Sequence, residues 1–389
     1  MRILWIPHAP SRLGRTRAEH LIELLANRHE VRVLGFSIHQ GWESWKYLSD
    51  LLRSRPRHNP AGYEEIPLKR VPKAQWLSSL LLNRTIKLEA RRKHCDVVVV
   101  SPNPYLIGQV NFERLRPNII PIVCDFVDGG DWSDRQNTNT NYERHYVESS
   151  DAVICVSHLL AQQARTLNAY SYLIPNGVDL PRYTAYRRTH TVRDCKLALG
   201  IDPDAFVISI IGMTCSPRLY FVDAAIALAR SGRKVILLLV GDSPLLPEIS
   251  RRAQGADHIV RMEGAVPYER ILPYFMATDV GLNVVDDEPY YHRQSPLKIL
   301  EYAAMGKPVV VAPWLHEVAR NALTNVSFCA PDAEPLAKHL SFLSDHGPAC
   351  IESDLLRYDW TKLAAQVEDV LMQVIARRAK SSSFDVNET

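Results

Sequence analysis

Short apolar runs recur along this chain, and most of them are followed by a segment with helical periodicity. The runs are rich in valine and isoleucine and alternate little with polar residues, which is typical of strands buried on both faces of a parallel sheet. The pattern therefore predicts an α/β protein with two doubly wound domains. The predicted strands are Ile3–Ile6, Val31–Phe36, Val97–Val100, Ile119–Cys124, Ala152–Val156, Phe206–Ile211, Val235–Val240, His258–Met262, Val280–Val285 and Val309–Ala312.

The boundary between the two domains is predicted near residues 176–191, where turn-forming Pro175-Asn176-Gly177 precedes a polar, irregular stretch. We expect residues 1–180 to form the first domain and residues 181–357 the second. Residues 358–380 carry one apolar stripe and are predicted to be a helix. Residues 381–389 are polar and are predicted to be a flexible tail.

Composition and charge exclude several classes of protein. The 389 residues suit about two domains, and a net charge of +3 is too small to make nucleic acid the default partner. The seven cysteines are scattered and contain no C-x-x-C pair, which argues against a disulfide framework and a zinc site. No signal peptide and no long apolar run are evident in the sequence, so we expect a cytoplasmic protein.

Positive charge is concentrated between residues 46 and 94, which hold twelve Lys and Arg against four acidic residues. Trp42, Trp45 and Trp76 lie in or beside this stretch. A basic helical segment with aromatic residues is suited to an anionic membrane surface, which predicts a peripheral contact on the inner face of the membrane. The alternative is a solvated insertion whose apolar residues pack on its own domain.

A candidate binding site begins at Ser295, a natural N-cap, followed by Pro296 at the first helical position. Lys298 falls in the first turn, where the helix dipole disfavours a cation unless a polyanion binds there. Glu301 follows on the same face and is placed to accept hydrogen bonds from vicinal hydroxyls. Phosphate at the helix start and ribose one turn further along outline a nucleotide site. The alternative is an exposed Lys and an exposed Glu on an ordinary capped helix.

Several stretches, in this order and spacing, resemble the retaining glycosyltransferases of family 4, the glycosyl transferases group 1, which have the GT-B fold. They are residues 151–157, 174–179, 239–242, 264–268, 274–282 and the block Ser295–Pro308. The resemblance covers essentially the whole chain. It implies two Rossmann-like domains that face each other across a cleft, with the helix at 358–380 joined to the first domain.

The resemblance also implies roles for residues of the second domain, which binds the nucleotide-sugar donor in this family. Glu301 would hold the ribose, and the backbone near Ser295, Leu297 and Lys298 would meet the diphosphate. The loop that begins at Gly212 would carry a phosphate-binding cation, for which Arg218 is the candidate. Glu263, Gly264 and Val266 match the segment whose backbone contacts the base.

Residues of the first domain are assigned on the same basis. Asp125 and Asp128 stand at the end of a strand where the family often has a histidine, and either is a candidate to orient a hydroxyl during catalysis; the alternative is a turn or capping pair. The loop at residues 7–17 would face donor and acceptor. It is basic through Arg12, Arg15 and Arg17, with Gly14 on the donor side and His8 and Arg15 on the acceptor side. A packed or capping role is the alternative for His8.

One departure from the family bears on the mechanism. Arg293 stands where the family's Glu-x7-Glu motif has its first glutamate. Either Asp286, Asp287 or Glu288 supplies a substitute carboxylate, or the role is absent from this chain.

The expected activity is the retaining transfer of a sugar from a nucleotide-diphosphate sugar, UDP by its frequency in the family, to a hydroxyl of a glycan or glycolipid. Lys298 and Arg218 would stabilise the departing diphosphate, so neither a metal ion nor another cofactor is expected. Two alternatives remain: a nucleotide-sugar epimerase of the same fold, and a non-catalytic subunit that binds nucleotide sugars.

Overall fold

The computed structural model describes residues 1–7, 15–36, 57–68, 75–92, 95–102, 120–127, 129, 132, 138–212, 216, 218–321, 323–346 and 355–385. Within these ranges, no helix is long and apolar enough to cross a membrane. Three predicted site residues, His8, Gly14 and Asp128, lie outside the described residues.

The chain divides into two compact units. The first comprises Met1–Arg12, Thr16–Pro175 and Trp360–Thr389, and the second comprises Leu13–Arg15 and Asn176–Asp359. Within the second unit, the segment around Val178 and the segment around Tyr358 lie side by side. There the Val178 N–H donates to the Tyr358 carbonyl over 2.9 Å, and Val178 forms a bridge with Asp359.

The first unit is built on an eight-stranded sheet in the order β3-β4-β2-β1-β5-β6-β7-β8. All pairs are parallel except β3 with β4. A four-valine strand with all four side chains buried, β5, fits the centre of such a sheet. The strands are β1 (Arg2–Ile6), β2 (Glu30–Phe36), β3 (Arg57–His58), β4 (Glu64–Leu68), β5 (Val97–Val100), β6 (Ile122–Phe126), β7 (Ala152–Cys155) and β8 (Ser171–Leu173).

The second unit contains a six-stranded, wholly parallel sheet in the order β11-β10-β9-β12-β13-β14. Because the strands are parallel, their carboxyl ends all meet one edge, which is where ligands bind in doubly wound sheets. The strands are β9 (Phe206–Ile211), β10 (Val235–Val240), β11 (Val260–Gly264), β12 (Val280–Asn283), β13 (Val309–Val311) and β14 (Val326–Phe328).

Helices connect the strands in both units, and local capping chemistry sets several of their starts. Thr16 and Glu19 form a capping box ahead of the first helix, whose N-terminus they fix. In chain order the α-helices are α1 (Arg17–Ala26), α2 (Gln75–Arg92), α3 (Thr138–Ser149), α4 (His158–Arg165), α5 (Leu180–Thr189), α6 (Val192–Ala198), α7 (Tyr220–Arg230), α8 (Leu246–Arg252), α9 (Leu272–Ala277), α10 (Pro289–His292), α11 (Leu297–Ala304), α12 (His316–Arg320), α13 (Ala333–His346) and α14 (Trp360–Asp385).

The predicted α/β class with two Rossmann-like domains is confirmed, and the apolar runs coincide closely with strands in both sheets. The sequence pattern did not predict β8 or β14, and two further stretches differ from the prediction. The stretch at residues 46–94, expected to be a helical insertion, contributes β3 and β4 to the sheet as well as α2. Residues 381–385, expected to belong to a flexible tail, continue α14.

Candidate active site

Three neighbouring strands of the second sheet end in glycines with left-handed backbones: Gly212 after β9, Gly241 after β10 and Gly264 at the end of β11, with φ of 95°, 132° and 67°. The Gly241 N–H donates to the Gly264 carbonyl and the Gly212 N–H to the Val240 carbonyl, each over 2.7 Å. A Cβ on Gly241 would lie only 2.7 Å from the Gly212 carbonyl oxygen. We call these three residues, which carry no side chain of their own, the glycine shelf.

Lys298 lies against this shelf. A Cβ on Gly212 would lie 3.4 Å from its Nζ and 3.5 Å from its Cε, so the ammonium group takes the space beside that glycine. Lys298 is the second residue of α11. A fixed cation beside bare backbone, at the start of a helix, is an arrangement suited to an oxyanion such as a phosphate.

The start of α11 differs from the prediction. Pro296 rather than Ser295 occupies the N-cap position, and no side chain among the described residues caps the helix. Ser295 is buried, and its carbonyl oxygen instead accepts a hydrogen bond of 2.6 Å from the Asn176 amide. The prediction of a Ser295 cap was therefore wrong.

Tyr302 anchors α11 to the sheet. Its hydroxyl contacts the Ser209 hydroxyl at 2.9 Å and accepts from the Ile211 N–H at 3.2 Å. Its ring fills the space beside Gly281, where a Cβ would lie 2.6 Å from ring carbons. The pairing of β12 with β9 ends at Gly281 and Ser209. The Ile211 N–H lies beyond this pairing, and it donates to the Tyr302 hydroxyl instead. Lys298 and Glu301, on the same helix, are held in place by this anchor.

Glu301 lies in a pocket of aromatic and cationic groups. The Tyr183 hydroxyl donates to its Oε1 over 2.9 Å. Burial raises the pKa of the Glu301 carboxyl above its ordinary value, and the hydrogen bond from Tyr183 and the charges of Lys298 and Arg182 act against that rise. The carboxyl is therefore desolvated yet supported in its ionised form by three neighbours.

The segment after β11 joins the same pocket through Tyr268. The Arg182 guanidinium lies 4.2 Å from the centre of the Tyr268 ring and donates to the Tyr268 carbonyl over 2.9 Å. Val266 packs against the core of the unit. The Glu263 carboxylate is occupied by Arg261 and by the Tyr274 hydroxyl, so its side chain has a structural partner on each oxygen.

Arg218 is exposed and lies just before α7, with its guanidinium 5.9 Å from the Tyr220 ring. Between them Leu219 takes a left-handed backbone with φ of 53°, which is unfavourable for leucine. The buried Ser216 hydroxyl donates to Asp286 over 2.8 Å and thereby ties this loop to the loop after β12.

Two of the three acidic residues proposed to replace a glutamate at position 293, Asp286 and Asp287, have separate partners. Asp286 accepts from Ser216, and Asp287 contacts the His292 ring nitrogen at 2.7 Å. The Arg293 guanidinium donates to the Pro289 carbonyl over 2.8 Å. Asp286 is thus the acidic residue that the structure connects with the loop carrying Arg218.

Asp125 of the first unit lies within β6 and is 1% exposed, and it pairs with the equally buried Arg17 over 3.2 Å. Arg17 also donates to the Pro175 carbonyl over 2.6 Å. The interpretation of Arg17 as part of a basic, phosphate-facing loop was therefore wrong, because its guanidinium is buried in this pair. Arg15 groups with the second unit, 5.6 Å from the Tyr268 ring centre.

Sequence reasoning did not find Tyr183, Arg182 or Tyr302. Tyr302 directly follows Glu301 in the sequence. The neighbouring residues do not indicate that its hydroxyl reaches β9. Tyr183 and Glu301 are separated by 118 positions, so only the folded chain brings them together. Among the described residues, no group of three or more His, Cys, Asp or Glu side chains is placed to hold a metal ion.

The two Rossmann-like sheets match the fold of GT-B glycosyltransferase structures. Residues 14–182 match the family model described as Glycosyltransferase Family 4, and residues 206–346 match the model described as Glycosyl transferases group 1. The chain belongs to the family 4 glycosyltransferases.

Solved structures of low sequence identity share the fold over its full length. Sucrose-phosphate synthase from Thermosynechococcus elongatus is 16% identical with a TM-score of 0.64, covering 100% of both chains. Anabaena HepE in complex with UDP and glucose is 16% identical with a TM-score of 0.62, again covering 100% of both. UDP-GlcNAc 2-epimerase from Neisseria meningitidis is 13% identical with a TM-score of 0.59, covering 96% of this chain and 100% of the epimerase. No curated protein matches the chain in sequence.

Proposed function

We propose that this protein is a retaining glycosyltransferase that moves a sugar from a UDP-sugar to a hydroxyl of a glycan or glycolipid. The observation that carries the proposal is the Lys298 ammonium beside Gly212 on the glycine shelf, one helical turn from Glu301. The Lys298 cation beside the glycine backbone suits the diphosphate. The Glu301 carboxylate, three residues further along the helix, suits the ribose hydroxyls. UDP as the nucleotide is supported by the structural similarity to HepE, which was crystallised with UDP.

In the proposed reaction the acceptor hydroxyl attacks the anomeric carbon from the face that the diphosphate leaves. The bond from that carbon to the phosphate oxygen breaks, the new glycosidic bond forms, and the hydroxyl proton passes to the departing phosphate oxygen. Lys298 stabilises the growing negative charge, and Arg218 is its proposed partner from the loop after β9. Charge stabilisation by preorganised groups of this kind is worth several kcal/mol, so the proposal requires no metal ion.

Calorimetric titration with UDP, GDP and their sugars, followed by product analysis by NMR, tests the proposal. We expect saturable binding of UDP and, with an acceptor present, a glycoside of the same anomeric configuration as the donor. Absence of binding by every nucleotide would overturn the proposed site.

Two other outcomes would favour the alternatives. The structural similarity to UDP-GlcNAc 2-epimerase makes an epimerase the second candidate, which would convert the donor sugar without an acceptor. Binding without transfer to any acceptor would favour a non-catalytic subunit, which the arginine at position 293 also suits.

We further propose that α2 brings the protein to the cytoplasmic face of an anionic membrane. Leu80 is 48% and Leu88 is 39% exposed, and Arg84 stands between them on the same face of the helix. Lys87 adds a second cation beside this stripe. Apolar side chains flanked by cations bind anionic lipid surfaces through both burial and charge.

Sedimentation with vesicles tests this contact. The protein should sediment with vesicles of phosphatidylglycerol and phosphatidylcholine and not with phosphatidylcholine alone. The double substitution Arg84→Glu with Leu88→Glu should reduce binding about tenfold or more, since each cation near such a surface contributes about 1 kcal/mol. Equal sedimentation of the variant would contradict the assignment to α2.

A further inference from the structure

Tyr183 is a buried residue whose hydroxyl points at the candidate ribose-binding carboxylate. It is 0% exposed, and its ring packs edge-on against Phe275 with 5.8 Å between ring centres. The ring is therefore fixed by the core of the second unit, and the hydroxyl meets Glu301 Oε1 at 2.9 Å. A tyrosine held this way offers one hydrogen bond in one direction and loses little rotamer freedom when a ligand binds.

The charged and titratable groups around Glu301 come from three directions. Arg182 and Tyr183 belong to α5, Lys298 and Tyr302 to α11 itself, and Tyr268 to the segment after β11. Burial raises the pKa of the carboxyl, and of its neighbours the Tyr183 hydrogen bond opposes that rise most. The pKa of Tyr183 is itself held well above its ordinary value, so its hydroxyl keeps the proton it donates.

A carboxylate has two oxygens, and a hydrogen bond to one of them fixes the direction of the other. With Oε1 bound by Tyr183, rotation of the Glu301 carboxylate is restricted and Oε2 is left as the oxygen for a ligand. Vicinal hydroxyls are donors that match a carboxylate in this state, whereas a protonated carboxyl would offer a donor in place of an acceptor.

We propose that Tyr183 is a positioning residue for the donor ribose: its hydroxyl holds one oxygen of the Glu301 carboxylate and so directs the other oxygen toward the ribose hydroxyls. This inference rests on the proposed function, which places the ribose at Glu301.

The test compares Tyr183→Phe with Tyr186→Phe, a matched loss of a hydroxyl on the same helix. The Tyr186 hydroxyl contacts Cys195 at 3.5 Å. Calorimetry measures the affinity for UDP and for 2′,3′-dideoxy-UDP at a series of pH values. We expect Tyr183→Phe to weaken UDP about tenfold, the usual effect of losing a hydrogen bond to a charged group, and to leave dideoxy-UDP nearly unchanged. Tyr186→Phe should bind both nucleotides as the parent does.

The pH dependence supplies a readout that loss of packing would not move. UDP binding should weaken as the pH falls through the pKa of Glu301. Without the Tyr183 hydrogen bond that pKa rises further, so the weakening should begin at a higher pH in Tyr183→Phe. An unchanged pH profile together with an unchanged preference for UDP over dideoxy-UDP would overturn the inference.

Glu301→Gln separates this inference from the proposed function. If Glu301→Gln keeps the parent's preference for UDP over dideoxy-UDP, the ribose does not bind at Glu301 and the proposed site fails. If Glu301→Gln loses the preference and Tyr183→Phe keeps it, only the role of Tyr183 fails. Infrared titration of the Glu301 carboxyl in the nucleotide-free protein, assigned by its loss in Glu301→Gln, decides the Tyr183 effect even if UDP does not bind. A carboxyl pKa that does not rise in Tyr183→Phe would also overturn the inference.

Discussion

At the end of β6 in the first unit, Asp125 is buried against Arg17, whereas at the ends of β9, β10 and β11 in the second unit the strands finish in glycines beside Lys298. Both units have largely parallel sheets with connecting helices, so the difference does not come from topology. One edge uses opposite charges to hold α1 to the sheet, and the other keeps a cation beside bare backbone. The first arrangement buries a charged pair within its own unit, and the second is suited to an anionic ligand.

The largest effect expected from this comparison is on the stability of the first unit. Arg17→Leu should lower the free energy of unfolding by about 4 kcal/mol, because it leaves the Asp125 carboxylate buried without its partner. The double substitution of Arg17→Leu with Asp125→Leu should recover much of that loss. Urea unfolding measures both.

The control is Lys234→Met, which removes the cation of an exposed ion pair. The Lys234 side chain is 66% exposed and that of its partner Asp202 is 45% exposed. It should leave the unfolding midpoint unchanged. If the double variant is no more stable than Arg17→Leu, then loss of the charge on Arg17 does not explain the destabilisation, which would contradict the prediction.

A smaller stability effect is expected from filling the glycine shelf. Gly241→Ala would place a Cβ 2.7 Å from a backbone oxygen at φ of 132°, and it should cost about 3 kcal/mol and abolish nucleotide binding. Gly232→Ala is the control, since it has φ of 91° with nothing within 4 Å of the added carbon. It should cost about 1 kcal/mol and bind nucleotide normally. Equal unfolding midpoints for the two variants would show that the close approach does not matter.

Lys298→Ala should separate function from stability most clearly. Turnover should fall about 100-fold, which is the usual loss when one group that stabilises a developing oxyanion is removed. The midpoint of thermal unfolding should change little, because alanine is a good helix former and introduces no clash into α11. Lys338→Ala, which removes an exposed lysine elsewhere in the unit, is the control. Unchanged turnover in Lys298→Ala would remove Lys298 from the proposed mechanism.

Much of the fold could be predicted because each buried parallel strand is a short run of apolar residues that can be recognised in the sequence. The run Val97–Val100 and the runs Phe206–Ile211 and Val235–Val240 coincide with β5, β9 and β10. The strand β4 was missed because it contains two glutamates and Pro67, which obscure the apolar signal of a strand.

The site was predictable where a single helix carries it and not where distant segments meet. Helical spacing predicts that Lys298 and Glu301 lie on one helix, and the structure places both on α11, while their roles stay predictions. Ser295 was misassigned as the N-cap, and its carbonyl accepts from Asn176, a contact between residues 119 positions apart. Tyr183 and Glu301 are 118 positions apart, and Arg17 and Asp125 are 108 positions apart. The periodicity of apolar residues cannot predict contacts between residues so distant in the sequence.

The order of segments along the chain affects how the protein folds during synthesis. All of the second unit from Asn176 to Asp359 emerges from the ribosome before α14, which packs on α1 and completes the first unit. Domains that are contiguous in sequence fold as they are made, so the second unit is able to fold while the first still lacks a helix. A nascent chain with a linker after Asp359, long enough for the whole second unit to leave the ribosome, should then resist proteolysis in its later half and remain open to cleavage in its earlier half.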